Sequence, residues 1–130
     1  MTTHKSNDPV TVSFIENLLA KEDINAVLEI FRELHPADQA ELFYSLNTDQ
    51  QEVLLGILEI PEIADIFDEG DDRQTLDAAR NLPLPFLADI IDDMDPDEAA
   101  DLLGDLTGQE VRKTISLMEE PEEVLPLLHL

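Results

Sequence analysis

A strict period of twelve residues constrains this chain more than any other feature. Cut from Asp23, it reads DINAVLEIFREL, HPADQAELFYSL, NTDQQEVLLGIL, EIPEIADIFDEG, DDRQTLDAARNL, PLPFLADIIDDM, DPDEAADLLGDL, TGQEVRKTISLM and EEPEEVLPLLHL, nine blocks filling 23–130 without insertion. Position nine is apolar in all nine blocks: Phe31, Phe43, Leu55, Phe67, Ala79, Ile91, Leu103, Ile115 and Leu127. Position eight is apolar in seven, failing at Thr114 and Pro126, and position twelve in eight, failing at Gly70. Apolar residues at eight, nine and twelve are i, i+1 and i+4, one stripe of an α-helix; the alternation of a strand is absent.

The block starts carry helix-start chemistry. Asp95-Pro96-Asp97-Glu98 offers an Asp N-cap, Pro at the first helical position and an acid in the first turn. Thr107 with Glu110, and Thr48 with Gln51, fit the capping box. Pro36, Pro61, Pro83, Pro85 and Pro96 lie within the first three positions of their blocks, where Pro opens one helix and discourages its predecessor from continuing. Each block is therefore a short helix and a turn. Helices of about 8–10 residues are unstable alone and must stack on neighbours.

The expected fold is all-α: a right-handed superhelix, an α-solenoid, of about ten short helices. An irregular bundle is the competing arrangement, and the unbroken register argues against it. Residues Thr11–Glu22 supply one leading helix, so the helical domain is expected over 11–130 after a flexible N-terminus at 1–10. Two blocks depart from the pattern. Asp71–Leu82, with alanines at positions eight and nine, should pack thinly, and Pro126 should kink or end the last helix.

Composition narrows the function. Hydrophobic residues make up 43% of the 130, too many for a disordered acidic tail, and with 5% aromatics and no Trp the core must be aliphatic. The 31 acids against 7 bases give a net charge of −24. That balance excludes a phosphate-binding surface for nucleic acid and disfavours an anionic membrane. It suits cations, basic partners or plain solubility. Without Cys there is no disulfide framework and no thiolate metal site. The apolar runs Val53–Leu58 and Val124–Leu128 are too short to span a bilayer, and Met1–Pro9 lacks the apolar core of a signal peptide.

Between Arg80 and Arg112 the chain carries nine acids and no base: Asp89, Asp92, Asp93, Asp95, Asp97, Glu98, Asp101, Asp105 and Glu110. Asp89, Asp92 and Asp93 share one helix face, and Asp97 and Asp101 stand at i, i+4. Two carboxylates about 4 Å apart repel by up to about 4 kcal/mol at an effective dielectric of 20. A divalent cation removes that cost, and hard oxygen donors select Mg²⁺ or Ca²⁺. A solvated helix face is the plainer alternative. Asp93-Met94-Asp95-Pro96-Asp97 begins like an EF-hand loop but has Glu98 for the required Gly and Gly104 for the closing Glu, so it is not one. Two further acidic clusters, Asp65, Asp68, Glu69, Asp71 and Asp72 around Gly70, and Glu119, Glu120, Glu122 and Glu123, read as structural: a helix C-cap and a helix start. His4, His35 and His129 are scattered, and His35 before Pro36 reads as a cap. No nucleophile elbow, phosphate loop or HExxH is present, and no enzyme activity is expected.

The segments LHPADQAELF (34–43), IADIF (63–67) and LADIIDDMDPDEAADLLGDL (87–106), in their unbroken frame, resemble the intracellular N-terminal domain of MgtE-type magnesium channels, over about residues 20–125. The resemblance implies a domain followed by a pair of CBS domains, a connecting helix and a membrane pore, at the cytoplasmic face of the bacterial inner membrane. It implies that Mg²⁺ held between acidic faces of this domain and the CBS pair keeps the pore closed, and that the full channel is a homodimer. It places metal-contacting acids on Asp65 and Asp97; with the helix-face reading, the candidate metal residues are Asp97, Asp65, Asp93 and Asp101. The chain ends at Leu130, ahead of the motif leading to the CBS pair, so weak Mg²⁺ binding is expected of it alone, with neither nucleic acid nor membrane insertion. Two alternatives use similar short helices: a flagellar motor switch middle region, and an adaptor whose groove binds a basic peptide.

Overall fold

The computed structural model describes residues 9–128. His4, His129 and all of the expected flexible N-terminus except Pro9 and Val10 lie outside the described residues. Nine α-helices follow one another among them: α1 Pro9–Ala20, α2 Ile24–Glu33, α3 Pro36–Ser45, α4 Thr48–Ile57, α5 Ile60–Glu69, α6 Asp72–Ala79, α7 Leu84–Asp93, α8 Pro96–Asp105 and α9 Gly108–Leu117. From α2 onward every helix starts twelve residues after the last. No strand occurs among the described residues, and the fold is an all-α repeat.

The usual unit is a ten-residue helix and a two-residue extended link. Leu34, Leu46, Leu58, Met94, Leu106 and Met118 end their helices with ψ between 148° and 161°, which turns the chain straight into the next helix. Leu46, Leu58, Met94, Leu106 and Met118 are also buried, so link and core coincide at position twelve. Gly70 does not act as a left-handed C-cap, because no glycine has positive φ; it follows α5 as the leucines follow theirs.

Among the described residues only Glu22 enters the left-handed region, at φ 57°. There Asp23 N–H donates to Leu18 O and Glu22 N–H to Leu19 O, the Schellman pairing that closes α1, two residues ahead of the expected end. A side chain at such a position is strained and glycine is not. Glu22→Gly is expected to raise stability by about 0.5–1 kcal/mol. Urea unfolding checks this, and an unchanged or lower midpoint would contradict it.

The caps differ from expectation in two places. The Thr107–Glu110 box forms, but in α4 the box is Asn47 with Gln50, one residue ahead of the expected Thr48 and Gln51. Asp95 makes no side-chain cap. His35 does cap, its Nδ1 accepting from Ala37 N–H at 3.1 Å. An unanticipated box, Asp71 with Gln74, starts α6.

The chain divides into two compact units, one through Glu59 and one from Ile60. In the first, α1 packs on α2 and α4, and α3 on α4. In the second, α5 packs on α7, α7 on α9 and α6 on α8, so each helix rests on its second neighbour. Position nine is buried from Phe31 through Leu103, with Phe31, Phe43 and Leu103 wholly enclosed. Ala78 and Ala79 of the thin block are buried as well, and its helix is two residues shorter than its fellows. Thr114, the polar exception at position eight, is fully buried and donates to Glu110 O at 2.7 Å.

Position five adds a device that the apolar pattern does not show. Gln39 Nε2 donates to Phe31 O at 2.9 Å, Gln51 Nε2 to Phe43 O at 3.1 Å and Thr75 Oγ1 to Phe67 O at 3.2 Å. Each joins a carbonyl at a helix end to the helix that follows; Phe31 O and Phe43 O also accept from Leu34 and Leu46 N–H, so there the glutamine is a second donor to one carbonyl.

The last block is not an α-helix. It forms two 3₁₀ turns, Pro121–Glu123 and Leu125–Leu127, the second holding Pro126. Pro121 stands where Pro61 stands in α5 and is compatible with a helix start, but Pro126, at position eight, removes an interior donor and interrupts the ladder that the repeat would otherwise build.

Candidate metal centre

Asp72 opens α6, and Glu98 and Asp101 stand one helical turn apart on α8, which packs against α6. Their carboxylate oxygens all lie within 4.8 Å of one another, with Glu98 partly buried and the other two exposed. The first turns of both helices favour negative charge, which suits Asp72 and Glu98; Asp101 lies one turn further along α8, and the three carboxylates repel each other.

The neighbouring acid Asp68, on α5, explains why Glu98 faces this way. At the starts of α4, α6 and α9, the third helical residue folds back onto the N-cap N–H: Gln50 to Asn47, Gln74 to Asp71 and Glu110 to Thr107. Glu98 is the equivalent residue of α8, but Asp95 N–H is taken by both oxygens of Asp68, at 3.0 and 3.3 Å. Glu98 is thereby left to face Asp72 and Asp101. The same long-range bond recurs one helix pair later, where Asp92 accepts from Glu119 N–H at 2.8 Å and Glu120 N–H at 3.2 Å.

Charge is crowded here. Burial raises the Glu98 carboxyl above its ordinary value, and Asp101, Asp72, Asp95 and Asp97 raise it further. Half-buried Asp68 is pushed up to about 6, first by desolvation and then by Asp95, Asp65 and Glu98, against the opposing hydrogen bond from Asp95. An acid held above its unfolded value binds its proton more tightly when folded. Its cost is therefore absent below about pH 4, grows as pH rises to about 6, and is complete above that. Asp68→Asn keeps an acceptor for Asp95 N–H and removes the charge. It is expected to be more stable than the parent at pH 7.5 by about 1 kcal/mol after solvent screening, with the difference closing by pH 4.5. Urea titrations at the two pH values decide it; a pH-independent difference would contradict the assignment.

Three carboxylates at this spacing fit a hard divalent cation. Mg²⁺ bonds oxygen at about 2.1 Å and keeps several waters, so oxygens up to 4.8 Å apart can share one hydrated ion with small side-chain rotations.

The family model of the MgtE intracellular N domain matches residues 34–129, most of the chain. The chain belongs to this family. A solved structure described as "Crystal structure of the soluble part of a magnesium transporter" superposes with a TM-score of 0.81 at 29% identity. That match covers 91% of this chain and 48% of the other, so the chain spans about half of its relative. Among curated proteins, none matches.

The candidate residues of this MgtE N domain fall in three places. Asp101 is in the carboxylate trio. Asp97 and Asp65 lie beside it, Asp97 acting on Glu98 and Asp65 on Asp68. Asp93 is exposed at the end of α7, outside the trio. Asp72, read from sequence as part of a helix-cap cluster, joins the trio, and Glu98, seen only as one of nine acids, sits in it. Its place as the third helical residue of α8 was the signal for Glu98; no local signal marks Asp72. No helix among the described residues is long and apolar enough to cross a membrane.

Proposed function

We propose that this MgtE N domain is a cytoplasmic Mg²⁺-sensing regulatory domain of a magnesium channel or transporter, with no catalytic role. The observation that carries this reading is the approach of Asp72, Glu98 and Asp101 within 4.8 Å, flanked by Asp68, Asp95 and Asp97. With Mg²⁺ scarce, such a face repels any second acidic wall. With Mg²⁺ abundant, hydrated ions neutralise it and let the walls close. The partner wall is a CBS domain pair of the same polypeptide, the whole channel is a homodimer, and docking on that pair holds the pore shut at the cytoplasmic face of the inner membrane. In this reading Asp97, Asp65 and Asp93, which lie outside the trio, hold ions shared with the partner wall, and Asp101 serves both. Because half of the cage belongs to the partner, Mg²⁺ binding to this domain alone is weak.

Small-angle scattering of the full soluble assembly tests the reading. Compaction is expected as Mg²⁺ rises into the millimolar range, and Asp97→Asn with Asp101→Asn should shift it to higher concentration. A profile that ignores Mg²⁺ would contradict the reading.

A further inference from the structure

Position nine is buried in the first seven blocks, but Ile115 is half-buried and Leu127 is 38% exposed. Both line a groove of about 580 Å³ between α8, α9 and the Leu125–Leu127 turn, within the size range of ligand clefts. Half-buried Leu128 adds to its apolar surface over a floor of buried Leu103, Leu106 and Val111, and Asp72, Asp101 and Asp105 rim it against a single base, Arg112. Gly104 lies bare on the α8 side: nothing stands within 4 Å of the place a Cβ would occupy. Among the described residues nothing covers the repeat's apolar stripe at this groove, and its rim is negative.

We infer that this groove docks a basic amphipathic segment of a partner protein, one apolar face on Ile115 and Leu127 and its lysines or arginines on Asp72, Asp101 and Asp105. Opposite charge selects this segment over another acidic helix of the same kind. Asp72 and Asp101 also belong to the carboxylate trio, so a divalent cation there competes with the segment; that competition alone rests on the function proposed above.

A synthetic amphipathic helix of leucine and lysine is the probe, titrated into the isotope-labelled chain and followed by amide NMR. Shifts are expected to centre on Gly104, Ile115 and Leu127. Shifts spread over the acidic surface, or none, would overturn the groove. A Cβ at Gly104 meets nothing within 4 Å and leucine favours a helix, so Gly104→Leu should fold as the parent does and weaken binding by about tenfold or more. Undiminished binding to a folded Gly104→Leu chain would likewise overturn it. Millimolar Mg²⁺ should weaken the complex more than sodium at equal ionic strength; equal weakening would overturn the metal competition and leave the groove standing.

Discussion

Alanine at Phe67 is expected to remove about 3–5 kcal/mol of stability, a large part of what a domain this size possesses. Phe67 is 1% exposed at position nine of α5, and its carbonyl accepts from Thr75 Oγ1, so the cavity opens where two helices are joined. Truncation at a position nine buried in the stack should unfold the unit from Ile60 onward at low urea. Phe14 is the control: at 52% exposure, Phe14→Ala should change stability by no more than about 0.5 kcal/mol. Circular dichroism across a urea series reads both. Equal losses for the two variants would mean that the repeat's apolar stripe is not what holds the helices together.

The second large effect is at the trio. In the parent, a cation at ten times its dissociation constant adds about 1.4 kcal/mol of stability, several degrees of melting temperature. Glu98→Gln with Asp101→Asn should abolish that Mg²⁺-induced rise. The same variant should gain a few tenths of a kcal/mol in chelator, since the like-charge pair is gone. The two melting curves therefore change order between chelator and Mg²⁺. A variant that keeps the parent's full Mg²⁺ response would remove the trio from consideration.

The repeat was legible because its unit is local. A ten-residue helix and a two-residue link follow from prolines, caps and apolar positions within a dozen residues, and α2 through α9 start in that register. The last block departs for a local reason too: Pro126 lies at an interior position, where the sequence already marks a kink or an end. What the pattern could not supply is which helix rests on which. Asp72 meets Glu98 and Asp101 only because α6 packs on its second neighbour α8, and Asp68 reaches Asp95 across 27 positions of sequence. The nine-acid window therefore contained Glu98 and Asp101 of the trio, while the acid from α6 stayed hidden in what looked like a helix end. The polar residues at position five were likewise visible only once Gln39, Gln51 and Thr75 were seen reaching the carbonyls of phenylalanines eight residues earlier.

The claim at the centre is that this acidic face holds Mg²⁺ at a defined place rather than as a diffuse counterion cloud. Amide NMR of the labelled chain, titrated with Mg²⁺ against sodium at equal ionic strength, tests it most directly. Saturable shifts confined to Asp72, Glu98, Asp101 and the adjoining starts of α6 and α8, seen with Mg²⁺ alone, are the expected result. Shifts of the same size and spread with both ions would contradict it.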